Sequence, residues 1–390
     1  MDIHVLRKDA LSSVVASESS IKRTMTRPPE LRQPGYEDQY DFSTIFYSAF
    51  RGVDGTANLI GPPLRNFQPH VFGGDMYFSD RSGARFEISA RAIDVWNGWL
   101  QTILSFPAPR IDSLELHMEF GALGQYAVPL PAYRGNILRD KRVALTMIKY
   151  DPLVWVRDWA EFYARAHGTN AVLIYNNQAP SYSSDDIAHA VSDVKELETV
   201  VIVEWPYKYG PQAGTSKRWD SVFCKTGAFQ HARFSLLAEA ASVVNTDVDE
   251  LIVHPNGLSV HDAVERAPDK YLQIGGTWAC RNGEQQVLDP DINKRRHRDF
   301  IYRSNLNPRI CAAKWAVVPA SCPKDSQWVT HRIRSPFHEG IELHPEFCFR
   351  HFRDLNSNWK GGRANLPKKM LPDVEMQATY RQIGWLADDE

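Results

Sequence analysis

The triplet Asp247-Val248-Asp249 is where residue type and spacing in this sequence most directly suggest chemistry. Carboxylates at i and i+2 project to one side of an extended backbone, while Val248 faces the other. Two like charges that close repel unless a cation joins them. Hard Mg²⁺ or Mn²⁺ prefers carboxylate oxygen and keeps positions open for a diphosphate. Such a cation would neutralise the charge that develops on a nucleotide diphosphate as a glycosidic bond breaks. The plainer alternative is a turn of solvated acids. The apolar residues Val243 and Val244 just before the triplet favour the metal reading, because a buried strand then ends where the acids begin. Signatures for a phosphate-cradling lysine loop, dinucleotide binding, zinc hydrolysis and a serine nucleophile elbow are missing from the sequence.

The elements that must position the triplet have an alternating pattern. From residue 142, Val143–Ile148 reads as a strand buried on both faces. Trp155, Val156, Trp159, Phe162, Tyr163 and Ala166 then fall at helical spacing up to a Gly168 cap. Ala171–Tyr175 is a second strand, Ser183 caps a helix through Leu197, and Val200–Trp205 is a third strand. A long helix over Arg218–Ala240 leads to the strand before Asp247. The order β-α-β-α-β predicts an α/β fold with a mostly parallel, Rossmann-like sheet and helices on both faces, ligands lying beyond the carboxyl ends of its strands. This domain is expected over residues 141–360, with a C-terminal helical tail over 361–390. Before it, residues 1–35 read as a poorly ordered leader. Residues 36–140 read as a β-rich accessory domain with strands near Val71–Phe78, Ala84–Ala90, Ile111–Met118 and Gln125–Leu130, and one helix near Asp94–Leu104.

With the triplet and these elements in place, the sequence resembles glycosyltransferase family 92 and its bacterial relatives. The resemblance is carried by Asp158-Trp159-Ala160-Glu161-Phe162-Tyr163, Tyr175-Asn176-Asn177, Gln230 and Asp247-Val248-Asp249-Glu250. Tyr47-Ser48-Ala49-Phe50, Lys314-Trp315-Ala316-Val317-Val318-Pro319 with His331 downstream, and His351-Phe352-Arg353 extend it over residues 45–360. It implies a GT-A fold and inverting transfer of a hexose such as galactose from a UDP-sugar to a glycan or lipid-linked acceptor. It also implies Mn²⁺ or Mg²⁺ on Asp247, Asp249 and His351, and donor contacts from Asn176, Asn177, Asp247 and Lys314. Two departures stand out. The family's Tyr-Asp-Asn is Tyr175-Asn176-Asn177 here, which keeps hydrogen bonding but loses a charge, and its His-Tyr is His351-Phe352.

An inverting displacement needs a base for the acceptor hydroxyl. Glu284 is the expected residue, after the strand-like run Tyr271–Trp278, with Asp289, Asp299 and Asp325 as competitors. Trp278 is either a sugar-stacking ring or a core residue. The basic run Lys294-Arg295-Arg296-His297-Arg298 is expected to be a solvated loop, the alternative being contact with a diphosphate or acidic acceptor.

Composition narrows the class. The 45 Lys+Arg against 47 Asp+Glu give a net charge of −2, so no global field draws nucleic acid or an anionic membrane. Five cysteines without a C-x-x-C spacing argue against a disulfide framework and a thiolate zinc site, and fit a reducing, cytoplasmic setting. The sequence has neither an apolar run long enough to span a bilayer nor a signal-peptide core, and peripheral contact with a lipid-linked acceptor's membrane stays open. Two rival functions remain: a metal-dependent phosphohydrolase, which would normally need a second acidic cluster, and a non-catalytic carbohydrate-binding protein.

Overall fold

The computed structural model describes residues 1–213, 218–219, 222–281, 289–304, 311–335, 338, 340–352, 354–355 and 370–387. By contacts the chain forms two units. One comprises residues 1–5, 138–204 and 239–390, and the other residues 6–137 and 205–238.

In the first unit the apolar runs become strands as expected. β1 (Asp2–Leu6), β2 (Arg142–Ile148), β3 (Ala171–Asn176), β4 (Thr199–Glu204) and β5 (Ser242–Asn245) lie in the order β1-β4-β3-β2-β5. Pairing within β4-β3-β2-β5 is parallel. Helix α1 (Leu153–His167) connects β2 to β3 and buries Trp155, Val156, Trp159, Phe162 and Tyr163 completely. A large apolar side chain so buried contributes roughly 1.5–3 kcal/mol. The helix ends on Gly168 at φ 67°, where the N–H donates to Ala164 O at 3.1 Å, a left-handed cap that a Cβ would strain. Helix α2 (Ser184–Val191) starts in a capping box, with Ser183 Oγ accepting from Asp186 N and Asp186 Oδ2 accepting from Ser183 N.

Beyond β5 the expected architecture fails. β6 (Glu250–Val253), helix α3 (Val260–Arg266), β7 (Tyr271–Cys280), β8 (Tyr302–Ser304), β9 (Cys311–Val317), the hairpin β10 (Gln327–Val329) and β11 (Arg332–Arg334), β12 (Leu343–Phe352), β13 (Met370–Pro372) and helix α4 (Val374–Gln382) follow. β9 pairs antiparallel with both β5 and β7, β7 and β13 are antiparallel to β8, and β6 is antiparallel to β12. The pairing of β7 with β12 is parallel. The result is an 11-stranded mixed sheet. With 27% helix and 33% strand and mostly antiparallel pairing, the chain is not the mostly parallel Rossmann-like α/β fold that its order of elements predicted. A strand buried on both faces carries the same apolar run whichever way it points, and direction is set by distant partners. β7 and β12 approach closely at Gly276, where a Cβ would lie 2.2 Å from the Phe349 ring.

The second unit carries two four-stranded antiparallel sheets. One is ordered Gln125–Leu130, Leu114–Glu119, Asp75–Ser79, Arg85–Glu87, and the other Ser48–Arg51, Thr56–Gly61, Thr102–Pro107, Asp94–Asn97. The helix expected near Asp94–Leu104 is therefore replaced by two strands. The Arg218–Ala240 helix shortens to Phe223–His231 followed by a π-turn over Ala232–Leu236. That helix lies in this unit, so the second unit interrupts the 141–360 span. The first 35 residues are not a loose leader. Asp2–Leu6 is an edge strand, and buried Arg23 donates to the carbonyls of Pro63, Asp41 and Thr44.

Candidate functional site

β5 hands the chain to the acids through buried Thr246. Its N–H donates to Leu145 O at 3.3 Å, and its Oγ1 accepts the Trp159 indole N–H at 3.0 Å. The triplet then folds as a turn instead of an extended strand, with Glu250 N donating to Asp247 O at 3.0 Å. Val248 is still buried while Asp247 and Asp249 are half-buried, so the alternation read from the sequence survives by another route. The carbonyls of the turn are each held. His297 Nε2 meets Val248 O at 2.9 Å, Phe352 N donates to Asp249 O at 2.9 Å, and the Tyr163 hydroxyl donates to Glu250 O at 3.1 Å.

Two side chains from far along the sequence meet this turn. Lys314 on β9, fully buried, places Nζ 2.7 Å from Asp247 Oδ2 and 2.7 Å from Glu250 Oε2. His351 on β12 places Nε2 3.0 Å from Asp249 Oδ2 and Nδ1 3.7 Å from Glu250 Oε1. The His351 ring packs on Trp278, its register partner on β7, with centroids 4.6 Å apart. Trp278 is thus a neighbour of the imidazole. Glu250 Oε2 also accepts Asp247 N at 2.9 Å. Burial pushes the Glu250 carboxyl up and Asp247 and Asp249 add to the shift, while Lys314 and His351 oppose it.

Three carboxylates thus face one ammonium and one imidazole. Acids therefore outnumber bases around the turn by three to two. The side chains of Asp247, Asp249 and His351 are 28%, 19% and 14% exposed, so a ligand can reach them. Among the described residues no three carboxylate, imidazole or thiol groups meet in a metal-holding cluster. The donor chemistry fits a divalent cation whose shell takes Asp249 and His351 from the chain and is completed by water and ligand oxygens, as Mg²⁺ sites commonly are. Asp247, held by Lys314, fits an outer position better than a direct one.

The remaining expected residues are placed as follows. The Asn176 amide is tied locally, Nδ2 donating to Ser184 Oγ at 3.1 Å and Oδ1 accepting Ala179 N at 3.0 Å. Asn177 is fully buried, its N–H donating to Ile148 O at 2.9 Å. Lys314 has its ammonium on carboxylates. His331 is exposed, Nδ1 lying 3.0 Å from Ala313 O. Glu284 lies outside the described residues. Of its competitors, Asp289 Oδ1 accepts Asp291 N and Asp299 Oδ2 accepts Arg296 N in local turns, while Asp325 is exposed.

Sequence reasoning missed Glu250 as the group that joins Lys314 to the turn, and it misread the basic run. Arg296 forms a two-pronged ion pair with buried Asp158 on α1, and His297 Nδ1 lies 3.5 Å from the same carboxylate. Burial alone would raise the Asp158 carboxyl, but the hydrogen bonds from Arg296 and His297 hold it below its ordinary range. The run is an anchor, not a solvated loop, and through His297 it holds the Val248 carbonyl. The available signal was Asp158 itself, an acid beside Trp159 on the apolar face of a helix. Compared with models of known families and with curated proteins, the chain matches none.

Proposed function

We propose that this chain transfers a hexose, galactose on the strength of the family 92 resemblance, from a UDP-sugar to a hydroxyl of a glycan or lipid-linked acceptor. The reading rests on one convergence. Lys314, 67 residues from Asp247, and His351, 102 residues from Asp249, meet a half-exposed turn on which acids outnumber bases. Asp249 and His351 would hold Mn²⁺ or Mg²⁺, which supplies counter-charge to the diphosphate as the sugar leaves. Lys314 keeps Asp247 and Glu250 in register, and His297 fixes the backbone between the two aspartates.

The test is release of UDP from UDP-hexoses in the presence of Mn²⁺, with the mass of the acceptor followed and EDTA as control. Asp249→Asn should lower transfer by about 10²-fold or more. Its melting temperature should stay close to that of the parent, because the side chain is partly exposed. Normal transfer by a folded Asp249→Asn protein would overturn the site. Phosphate-ester cleavage indifferent to the sugar would mark a phosphohydrolase, and sugar binding without turnover a lectin.

A further inference from the structure

A second feature of the first unit lies at the opposite end of β7 from Trp278. There a cavity of about 670 Å³ is lined by Tyr271 and Gln273 of β7, Arg332, Ile333 and Arg334 of β11, and His338. Gln273 and Trp278 are five residues apart on one strand, roughly 17 Å, so this cavity is separate from the Asp249–His351 site. Its volume lies within the range of small-molecule pockets.

The lining has a consistent chemical bias. Arg332 and Arg334 stand at i and i+2 on β11 with buried Ile333 between them, so both guanidinium groups leave the strand on one side. Both are exposed at the cavity wall, and no carboxylate among the described residues forms an ion pair with either of them. Partial burial and then the neighbouring Arg332 lower the pKa of Arg334, so the two cations feel each other across the strand face. The walls add neutral donors and a flat face. Tyr271 stacks on His338 with centroids 4.4 Å apart, and its hydroxyl, which accepts Ile333 N at 3.4 Å, keeps its proton because burial raises it to about 12. Burial lowers the pKa of His338, with Asp269 opposing the shift.

We propose that this cavity binds a phosphate-bearing ligand, gripped by Arg332 and Arg334 and seated against Tyr271 and Gln273. Planar guanidinium forks match phosphate oxygens two at a time, and a pair of them two residues apart on one strand face can share a single phosphate group. The inference stands on residues the transfer reaction does not use, so it can fail or hold independently of the proposed function.

The probe is inorganic phosphate, titrated by calorimetry into the full chain, in parallel with flotation on phosphatidylcholine vesicles with and without phosphatidic acid. Wild type should bind one or the other. Saturable binding of free phosphate identifies a soluble phosphate ester as the ligand, and binding confined to phosphatidic acid vesicles identifies a lipid headgroup. The Arg332→Gln/Arg334→Gln double variant should bind at least tenfold more weakly. Arg334→Lys, which keeps charge but not the fork, should weaken binding by a smaller factor. Asp249→Asn should bind as wild type does, which separates this cavity from the candidate catalytic site. Gln273→Ala serves if the double variant does not fold, and should weaken binding severalfold. Absence of binding to both probes, or equal binding by wild type and the arginine variants, overturns the proposal.

Discussion

The two ends of β5 are both polar, and they use polarity in opposite ways. At the start, Ser242 Oγ lies 2.7 Å from Glu265 Oε1 and 2.8 Å from His261 Nδ1, and His261 Nε2 lies 2.9 Å from Thr169 Oγ1. Ser242 has one proton, and it goes to the carboxylate. His261 must then donate from Nδ1 to Ser242 and accept from Thr169 at Nε2, which is a neutral ring with both nitrogens satisfied. Arg142 closes the set with bonds to Glu265 and Asp262. At the other end, the acids around Asp247 outnumber the bases and three of the side chains reach solvent. At the start the charged groups also reach solvent, but the imidazole is fully buried with both nitrogens tied. At the other end the imidazole is only half-buried beside acids that outnumber the bases, which leaves capacity for a ligand. Position in the sheet alone does not make a site.

The largest expected effect that sharpens this contrast is Lys314→Met. It removes the only ammonium between Asp247 and buried Glu250, and stranding a buried carboxylate costs about 3–5 kcal/mol. Urea unfolding would read this directly, and a loss below about 1 kcal/mol would mean that the acids at this end do not depend on Lys314. The second effect concerns the closed end and is smaller per residue. Burial pushes His261 well below its ordinary value and His167 down to about 4, and His231 in the second unit is lowered to about 3. In the unfolded chain each titrates near ~6.5. Between those values the unfolded chain binds more protons, so stability is complete above about pH 6.5 and falls as pH drops towards 4. Each such histidine contributes a slope of about 1.4 kcal/mol per pH unit. Denaturant midpoints at pH 7, 6 and 5 should therefore decline, and His261→Gln should decline less steeply. A flat profile would break the reading of His261 as a buried, neutral ring.

How much of this was legible in the sequence follows from the range of the interactions. α1 with its Gly168 cap, α2 with its Ser183 box and the strand before Asp247 were readable, because caps and periodicity act within a few residues. The antiparallel pairing of β9 with β7 and of β12 with β6 was not, since it joins segments distant in the sequence, as Gly276 with Cys311 and Glu250 with His351. The same limit hid the Asp158–His297–Val248 support, whose members come from three distant stretches. Asp94–Asn97 was misread for a different reason. Four residues with exposed Val95 and Trp96 are too few to tell a 3.6 period from a period of two. The acids, Lys314 and His351 were visible, while Asp158, Arg296 and His297, which support the turn from behind, were not.

Gly276 gives the contact between β7 and β12 a genetic consequence. Any side chain there would run into the Phe349 ring, on the strand that delivers His351. In a saturation library, every replacement at 276 should therefore vanish under selection for folded protein alone. Replacements at Asp249 should vanish only when the selection demands activity. Position 276 thus serves as an internal reference for separating alleles that lose the protein from alleles that lose only its chemistry.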